Sequence, residues 1–250
     1  MSIPVKNDYG IEKMREVNSI VAKTFKTITP LVKEGISTKD IDIAVEQFIL
    51  SQNAKPNFKN YRGYPASCCI SINDEVIHGI PSANRIIKNG DIVSIDLGAV
   101  KDGFHGDAAR SFLVGEVSEA ARKIVEVAKE CFYKALEKCR VGYKIGDISN
   151  AVQIHAEKHG YSVVKNYTGH GIGKRLHEDP AIPNYGKPDS GVKLKAGATL
   201  AIEPMINQGK FEVIVASDNW TVKTKDGRLS AHYENTVLIT DADPEILTEF

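Results

Sequence analysis

The feature that most restricts how this chain can fold is an internal repeat with a single offset. When the 250-residue sequence is shifted by 107 positions against itself, Gly35 falls on Gly142 and Asp96 falls on Glu203. The same shift aligns Asp40-Ile41 with Asp147-Ile148, Ala44-Val45 with Ala151-Val152, Lys88 with Lys195, Gly90 with Gly197 and Ile95 with Ile202. Amphipathic helices always share some similarity, but one offset held over this span favours a duplication. We therefore expect one domain (1–250) built from two halves, roughly 8–112 and 117–240, related by a pseudo-twofold axis.

Both halves show helical patterns followed by strand patterns. Apolar stripes at threes and fours predict helices over 11–25 (after the cap candidates Asn7-Asp8), 41–49 (after Ser37), 121–136 and 148–156. Short apolar runs predict strands over 69–72, 92–97 and 199–202. Helices that precede strands in each half indicate an α+β fold in which helices cover an antiparallel sheet.

Composition restricts the cellular setting and the partners. Lysine plus arginine and aspartate plus glutamate both number 32, so the formal net charge is zero. Nucleic acid or an anionic membrane would favour a basic balance, so neither DNA nor a membrane is expected as a partner. The four cysteines form no CxxC pair, and the N-terminal stretch MSIPVKNDYGIEKMREV has no apolar signal region. We expect a cytoplasmic protein with reduced thiols, and a monomer by default.

A predicted hairpin brings two aspartates to the same face of the sheet. The pair Asp102-Gly103 is preferred chemistry for a two-residue type I′ turn. With that pair as the loop, Asp96 lies opposite Ala109. Because side chains alternate along a strand, Asp96 and Asp107 then lie diagonally on one face, roughly 7–8 Å apart at Cα. Two such carboxylates repel each other, and a bound divalent cation would remove the repulsion.

Further candidate ligands lie beside glycine or strand residues. His170 occurs in YTGHGIG, Glu203 in AIEPMI and Glu234 in HYENTVLI. Together with Asp96 and Asp107 they form an oxygen-rich set that suits Mn, Fe, Co or Zn in a paired site. On spacing alone an alternative remains, because the acids could instead pair with Arg110 or with lysines.

Two histidines share a sequence context. His78 in VIHGIP and His177 in LHEDPAIP each lie three residues before a proline. Each also lies upstream of a predicted strand that is followed by, or ends in, an acidic residue (Asp96 or Glu203). A lone histidine is most often an ordinary surface or core residue. Two in equivalent places favour a role in hydrogen bonding to a substrate carbonyl or amide during acyl transfer.

The chain resembles the type I methionine aminopeptidases of compact bacterial form over nearly its whole length. The stretches that carry the resemblance are YRGYPASCCISINDEVIHGIP, GDIVSIDLGAVKDGFHGDAARSF, YTGHGIGKRLHEDPAIPNYG, AIEPMI and HYENTVLI. The resemblance implies the pita-bread fold and two divalent metals held by Asp96, Asp107, His170, Glu203 and Glu234, with Asp107 and Glu234 bridging. It also implies that His78 and His177 contact the scissile peptide and that Glu203 handles the proton of the attacking water.

The same resemblance implies a methionine pocket. Its walls would be formed by Tyr61, Tyr64, Cys69 and Trp220, with Phe58 and Leu176 at the edge. Aromatic and thiol walls suit a polarisable thioether. Phe58 and Leu176 depart from the family pattern, in which a small thiol residue and a phenylalanine are usual at these positions. Asn73 and Ser230 match positions that help to bind a monovalent cation.

The activity implied by the resemblance is removal of the initiator methionine from nascent chains when the second residue is small. The substrates would be N-terminal Met peptides, and the ribosome near its exit tunnel is an expected partner. Two alternatives share the fold. One is an X-Pro-directed peptidase, which usually carries a large N-terminal domain, and the other is a non-catalytic binding protein, which typically loses metal ligands.

Overall fold

Four helices form where the sequence combines apolar stripes with polar caps. The computed structural model describes residues 3–249, and its helices are α1 (Asp8–Ile28), α2 (Thr38–Ser51), α3 (Glu119–Leu136) and α4 (Ile145–Lys158). The side chain of Asn7 accepts a hydrogen bond from the Gly10 N–H, and Ser37 and Asp40 form a capping box at α2. These bonds satisfy N–H groups that a helix start leaves unpaired. Both predicted caps are confirmed.

Most strands join one antiparallel sheet. In chain order the strands are β1 (Lys55–Pro56), β2 (Cys68–Ile72), β3 (Glu75–Ile77), β4 (Ile92–Lys101), β5 (Phe104–Leu113), β6 (Ser162–Val163), β7 (Thr168–Gly171), β8 (Glu178–Pro183), β9 (Thr199–Ile202), β10 (Met205–Asn207), β11 (Val213–Val215), β12 (Val222–Thr224), β13 (Ser230–His232), β14 (Glu234–Leu238) and β15 (Glu245–Ile246). The main sheet has the order β1-β4-β5-β14-β9-β7-β8, with β2 paired to β4 and β15 to β14. The predicted α+β class is therefore confirmed.

The central hairpin has the predicted register. Strands β4 and β5 are joined by Asp102 and Gly103 alone, with φ angles of 51° and 77°. Positive φ at both positions is the type I′ geometry, whose twist matches that of the strands. Asp96 pairs with Ala109, as expected from this loop. The hairpin also extends β4 to Lys101, four residues beyond the predicted strand end, because pairing continues to the turn.

The repeat is visible in the backbone. An isolated bridge joins Ser37 to Ile86 in the first half, and another joins Lys144 to Lys193 in the second, each residue displaced by 107 from its counterpart. Positive φ angles recur with the same offset at Gly35 and Gly142 and at Gly90 and Gly197. In both halves, the turn before the second helix and the turn before the strand that carries Asp96 or Glu203 therefore have the same local geometry.

Helices cover one face of the main sheet and leave the other face for polar groups. On β4, the buried side chains of Ile95 and Leu97 belong to the core beneath α1 and α2. On β9, Leu200 and Ile202 belong to the core beneath α3 and α4. Since neighbours along a strand point to opposite faces, Asp96 lies on the face away from the helices. Within residues 3–249 no helix is both long and apolar enough to cross a membrane.

Replacing Gly98 with alanine is expected to lower the free energy of unfolding by about 1–3 kcal/mol, the usual cost of overpacking. A Cβ at this position of β4 would lie 2.4 Å from Oδ1 of Asn57 and 2.6 Å from the carbonyl oxygen of Gly106. Urea unfolding measures the change. The control, Lys101→Ala on the same strand, removes only a surface ion pair and should cost at most about 1 kcal/mol. Equal stability of Gly98→Ala and the parent chain would contradict the tight contact.

Candidate metal centre and peptide-binding cavity

Five adjacent strands each supply one candidate metal ligand. In their order across the sheet the side chains are Asp96 on β4, Asp107 on β5, Glu234 on β14, Glu203 directly after β9 and His170 on β7. They are contributed by segments separated by up to 138 positions in sequence. The sheet order therefore assembles one polar row from residues that sequence distance keeps apart.

Strand register turns three of these carboxylates to the same face. Ala109 of β5 pairs with Asp96 on one side and with Glu234 on the other. Asp107 lies two residues from Ala109 and so points to the same face. Three acids thus surround one small alanine, which leaves room between them.

His170 faces this row through Nε2. Its Nδ1–H donates to the carbonyl oxygen of Gly171 at 2.9 Å, so the lone pair is on Nε2. Nε2 lies 3.9 Å from Oδ2 of Asp107 and 3.7 Å from Oε1 of Glu203. Burial, followed by the charge of His177, lowers the pKa of His170 to about 3, so the ring is neutral at pH 7.

The acids are in an environment that opposes their charge. Burial raises the pKa of Asp96 to about 7. Burial, reinforced by the neighbouring carboxylates, also raises the pKa values of Asp107, Glu203 and Glu234 well above the ordinary range. Desolvation and mutual repulsion of this kind require either protons or a cation.

The donor set fits divalent cations. Asp107, His170 and Glu234 each offer a ligand atom within 4.8 Å of the others. In the described part of the chain, Oδ1 of Asp96, Oδ1 of Asp107 and Oε1 of Glu234 are buried without a hydrogen-bond partner. Buried polar atoms are rarely left unpaired, and coordination to a metal satisfies carboxylate oxygens that accept no hydrogen bond. Oxygen and imidazole donors in this arrangement are typical of Mn, Fe, Co or Zn.

Arg110, the alternative partner for the acids, makes several backbone contacts. Its guanidinium donates to the carbonyl oxygens of Ala109 and Glu234 and, at 3.2 Å, to that of Thr248. It also lies 4.5 Å over the ring of Tyr233. These contacts stabilise the strands β5 and β14, which carry two of the candidate ligands.

His232 is a residue that the sequence analysis missed. This buried ring has Nε2 3.9 Å from a carboxylate oxygen of Glu203 and 3.9 Å from one of Glu234. Burial lowers its pKa to about 3. Its spacing of two from Glu234 in HYEN is the signal that could have identified it, because such residues share a strand face when the strand is continuous.

The two predicted catalytic histidines lie on the cavity wall. His78 follows β3 with a positive φ of 61°, and its ring is 5.7 Å from Tyr167 and 6.3 Å from Trp220. Burial lowers the pKa of His78 to about 4. His177 lies against His170, with ring centroids 4.2 Å apart, and its Nδ1 is 2.9 Å from the hydroxyl of Tyr61. Loss of solvent lowers its pKa as well, so both imidazoles are neutral at pH 7.

A cavity of about 150 Å³ joins the polar row to an apolar pocket. It is lined by Phe58, Tyr61, Arg62, Tyr64, Cys69, His78, Asp96, Asp107, His170, Leu176, His177, Glu203, Trp220 and Glu234. Arg62 was not anticipated from the sequence, and its guanidinium lies 5.4 Å over the Tyr61 ring. Every residue predicted to bind divalent metal or substrate lines this one cavity.

The pocket end is built from buried side chains. Phe58, Cys69 and Leu176 are all less than a tenth exposed. Tyr64 packs edge-on against Trp220 at 5.1 Å, and its hydroxyl donates to backbone carbonyls rather than into the cavity. Burial raises the pKa of the Cys69 thiol, which keeps it neutral. The pocket therefore offers an apolar, polarisable wall to a ligand side chain.

The predicted monovalent-cation residues lie together outside the cavity lining. The N–H of Ser230 donates to the carbonyl oxygen of Asn73 at 2.8 Å. The amide of Asn73 donates to Asp91 at 2.8 Å, and the Ser230 hydroxyl donates to the carbonyl oxygen of Ile206 at 3.1 Å. Asn73 and Ser230 thus connect the loop after β2 to β13.

Fold and site together define a metallopeptidase. The model of metallopeptidase family M24 matches residues 12–241, and the chain belongs to that family. Within it, the chain is similar to proteins named methionine aminopeptidase: one from Clostridium acetobutylicum is 52% identical over 246 residues, covering 98% of each chain. Another from Escherichia coli is 43% identical over 249 residues, covering 99% of this chain and 94% of its own.

Solved structures agree with this relationship. Methionine aminopeptidase from Thermotoga maritima matches with a TM-score of 0.97 at 42% identity, covering 99% of this chain and all of its own. Prolidase from Pyrococcus furiosus matches with a TM-score of 0.81 at 25% identity, and the match covers 98% of this chain but 65% of the prolidase. The pita-bread fold expected from the sequence is confirmed.

Proposed function

We propose that this protein is a metal-dependent aminopeptidase that removes an N-terminal methionine when the second residue is small. The observation that carries the proposal is that one cavity contains both a buried cluster of acids and imidazoles and an apolar pocket lined by a cysteine. Similarity to methionine aminopeptidases over 98% of the chain supports it.

We propose that Asp96, Asp107, His170, Glu203 and Glu234 would hold two divalent ions. When bound, such ions supply positive charge that makes water acidic near neutral pH and polarises a peptide carbonyl. The donor set accepts Co, Mn, Fe or Zn, and reconstitution of the metal-free chain with each ion identifies the one that supports the highest rate. A monovalent cation at Asn73 and Ser230 belongs to the same proposal.

The protein side chains have separate tasks. Glu203 accepts the proton of the attacking water and passes it to the leaving amine. His78 and His177 remain neutral and hydrogen-bond to the scissile peptide. We propose that the hydroxyl of Tyr61 donates to Nδ1 of His177, which leaves Nε2–H as the donor to the developing oxyanion.

Tyr61→Phe is expected to lower kcat/KM about 2- to 10-fold, because the orienting bond to His177 has the value of an ordinary hydrogen bond. The ring that stacks on His177 at 5.3 Å is retained, so packing should not change. Steady-state kinetics on a Met-Ala-Ser peptide measure the effect. Tyr9→Phe, at an exposed tyrosine, is the control, and an unchanged rate in Tyr61→Phe would remove the positioning role.

Substrate selection provides the direct test. Peptides that begin Met-Ala or Met-Ser should be cleaved far faster than one that begins Met-Leu, because a large second side chain would have to fit against His177 and Tyr61, which line the cavity where we place the scissile peptide. Chromatography of the released methionine measures the rates. Equal rates on all three peptides would refute the specificity. Cleavage of X-Pro peptides alone would favour the prolidase alternative, and binding without cleavage would favour a non-catalytic protein.

We further propose that the substrates are nascent chains, so that the protein acts as a monomer in the cytoplasm near the ribosomal exit tunnel. Residues 1–250 would form one catalytic domain, with its repeat at roughly 8–112 and 117–240. Co-sedimentation with translating ribosomes tests this partner independently of the peptide assay.

A further inference from the structure

A second group of metal-ligating side chains lies on α3 and at the end of α4. Glu130, His155 and His159 each offer a ligand atom within 4.8 Å of the others. Nε2 of His155 lies 2.8 Å from Oε2 of Glu130, and the two imidazole rings are 4.4 Å apart. These residues belong to the helical layer, on the opposite side of the main sheet from the metallopeptidase cavity.

The two histidines are spaced so that both rings can bind the same metal ion. His155 and His159 are four residues apart, which puts them one turn apart on the same face of α4. Nδ1–H of His159 donates to the carbonyl oxygen of His155 at 2.8 Å, so the lone pair of that ring is on Nε2. This is the arrangement by which a second hydrogen bond orients a metal-binding imidazole.

Helix position adds to the attraction for a cation. His159 is the C-cap residue of α4, where the helix dipole places partial negative charge. The Glu130 carboxylate is held in its charged form, since its hydrogen bond to His155 lowers its pKa. Lys123 is the basic neighbour that opposes a cation here.

We propose that Glu130, His155 and His159 form a separate site for a borderline divalent ion such as Zn²⁺, which links α3 to α4. Two imidazoles and one carboxylate are a ligand set that zinc accepts with water in the fourth position. Two ligand atoms of a tetrahedral zinc with bonds near 2.0–2.2 Å lie about 3.3–3.5 Å apart. Nε2 of His155 and Oε2 of Glu130, now 2.8 Å apart, therefore separate slightly while the His159 ring moves in. The Glu130 side chain is 40% exposed and can rotate, whereas His155, at 16%, is the more enclosed ligand. When the ion binds, Nε2 of His155 supplies its lone pair, and the proton that it donated to Glu130 is transferred through water to Nδ1, so that the ring keeps one proton.

The test is the number of Zn²⁺ ions bound by the full-length chain, measured by isothermal titration. The parent chain is expected to bind one more ion than His159→Ala and Glu130→Gln, or to bind it at least about tenfold more tightly, since even outer partners of a metal site are worth 10–100-fold in affinity. Hydrolysis of Met-Ala-Ser by the reconstituted variants should stay within twofold of the parent. Glu126→Gln, one turn earlier on α3, is the matched control and should keep the ion.

Equal stoichiometry and affinity in the parent chain and both variants would overturn the proposal. So would a loss of zinc in Glu126→Gln that equals the loss in Glu130→Gln, because the effect would then be one of general charge. Circular dichroism establishes that each variant is folded, and His159→Gln, which keeps a polar side chain at the helix end, replaces His159→Ala if that variant is unfolded. Asp107→Asn should still bind zinc at the helix site, which separates this outcome from failure of the proposed catalytic centre.

Discussion

Replacing Glu203 with glutamine is expected to reduce kcat on a Met-Ala-Ser peptide by about 10²- to 10⁴-fold, the range for loss of a general acid–base group. Glutamine keeps the shape of the side chain but cannot take up the proton of water. The side chain lies within 3.9 Å of both His170 and His232, so its position is held from two sides. KM should change little, because the apolar pocket that binds methionine is intact.

The matched control is Glu116→Gln, which neutralises an exposed glutamate outside the cavity lining. Its kcat should equal that of the parent chain. Metal content is measured for both variants at saturating divalent ion, so that a loss of proton transfer is distinguished from a loss of metal. Turnover by Glu203→Gln at the parental rate with full metal content would contradict the role proposed for this residue.

Asp96→Asn is expected to make the metal-free protein more stable and to weaken its stabilisation by divalent ions. In the metal-free protein, the pKa of Asp96 is raised from 3.8 to about 7 by burial. A raised folded-state pKa means that the contribution of Asp96 is most favourable below pH 4 and is lost as the pH rises past 7. The variant should therefore be the more stable chain when metal-free, by an amount that grows as the pH rises from 4 to 7.

Urea unfolding in the presence of a chelator, from pH 4 to pH 8, measures this difference. The comparison with the variant is needed because two buried histidines have the opposite pH dependence. Burial lowers the pKa values of His170 and His232 to about 3, so they destabilise the folded protein as the pH falls, whereas Asp96 destabilises it as the pH rises. The two histidines are present in both chains and largely cancel. With divalent ion added, the parent chain should gain stability and the variant should gain less. A difference that is flat with pH would contradict the buried, repelled state of Asp96.

Local sequence patterns were sufficient for much of the fold and part of the site. The turn pair Asp102-Gly103 predicted the β4–β5 register, and period-two alternation then put Asp96 and Asp107 on one face. The caps at Asn7 and Ser37 followed from the chemistry of helix starts. Each of these features depends on residues close in sequence, where side-chain type and backbone geometry are directly coupled.

The methionine-pocket walls were reached by resemblance, and their contacts could not be derived from spacing. The packing of Tyr64 on Trp220 joins residues 156 positions apart, and the hydrogen bond between Tyr61 and His177 joins residues 116 positions apart. Local periodicity contains no information about such pairs. His232 was missed although it lies two residues from Glu234, because its contact with Glu203 joins residues 29 positions apart.

The sequence by itself determined the duplicated order of helices and strands, the hairpin that aligns Asp96 with Asp107, and the residue types able to hold cations. The tertiary structure decided that β14 lies between β5 and β9, which brings Glu234 beside Ala109 and near Glu203. Strand order across a sheet depends on which apolar faces the helices cover, and burial of those faces is a property of the whole chain. The repulsion between Asp96 and Asp107 is thus already set by the hairpin, whereas their repulsion with Glu203 and Glu234 arises only once the sheet is assembled.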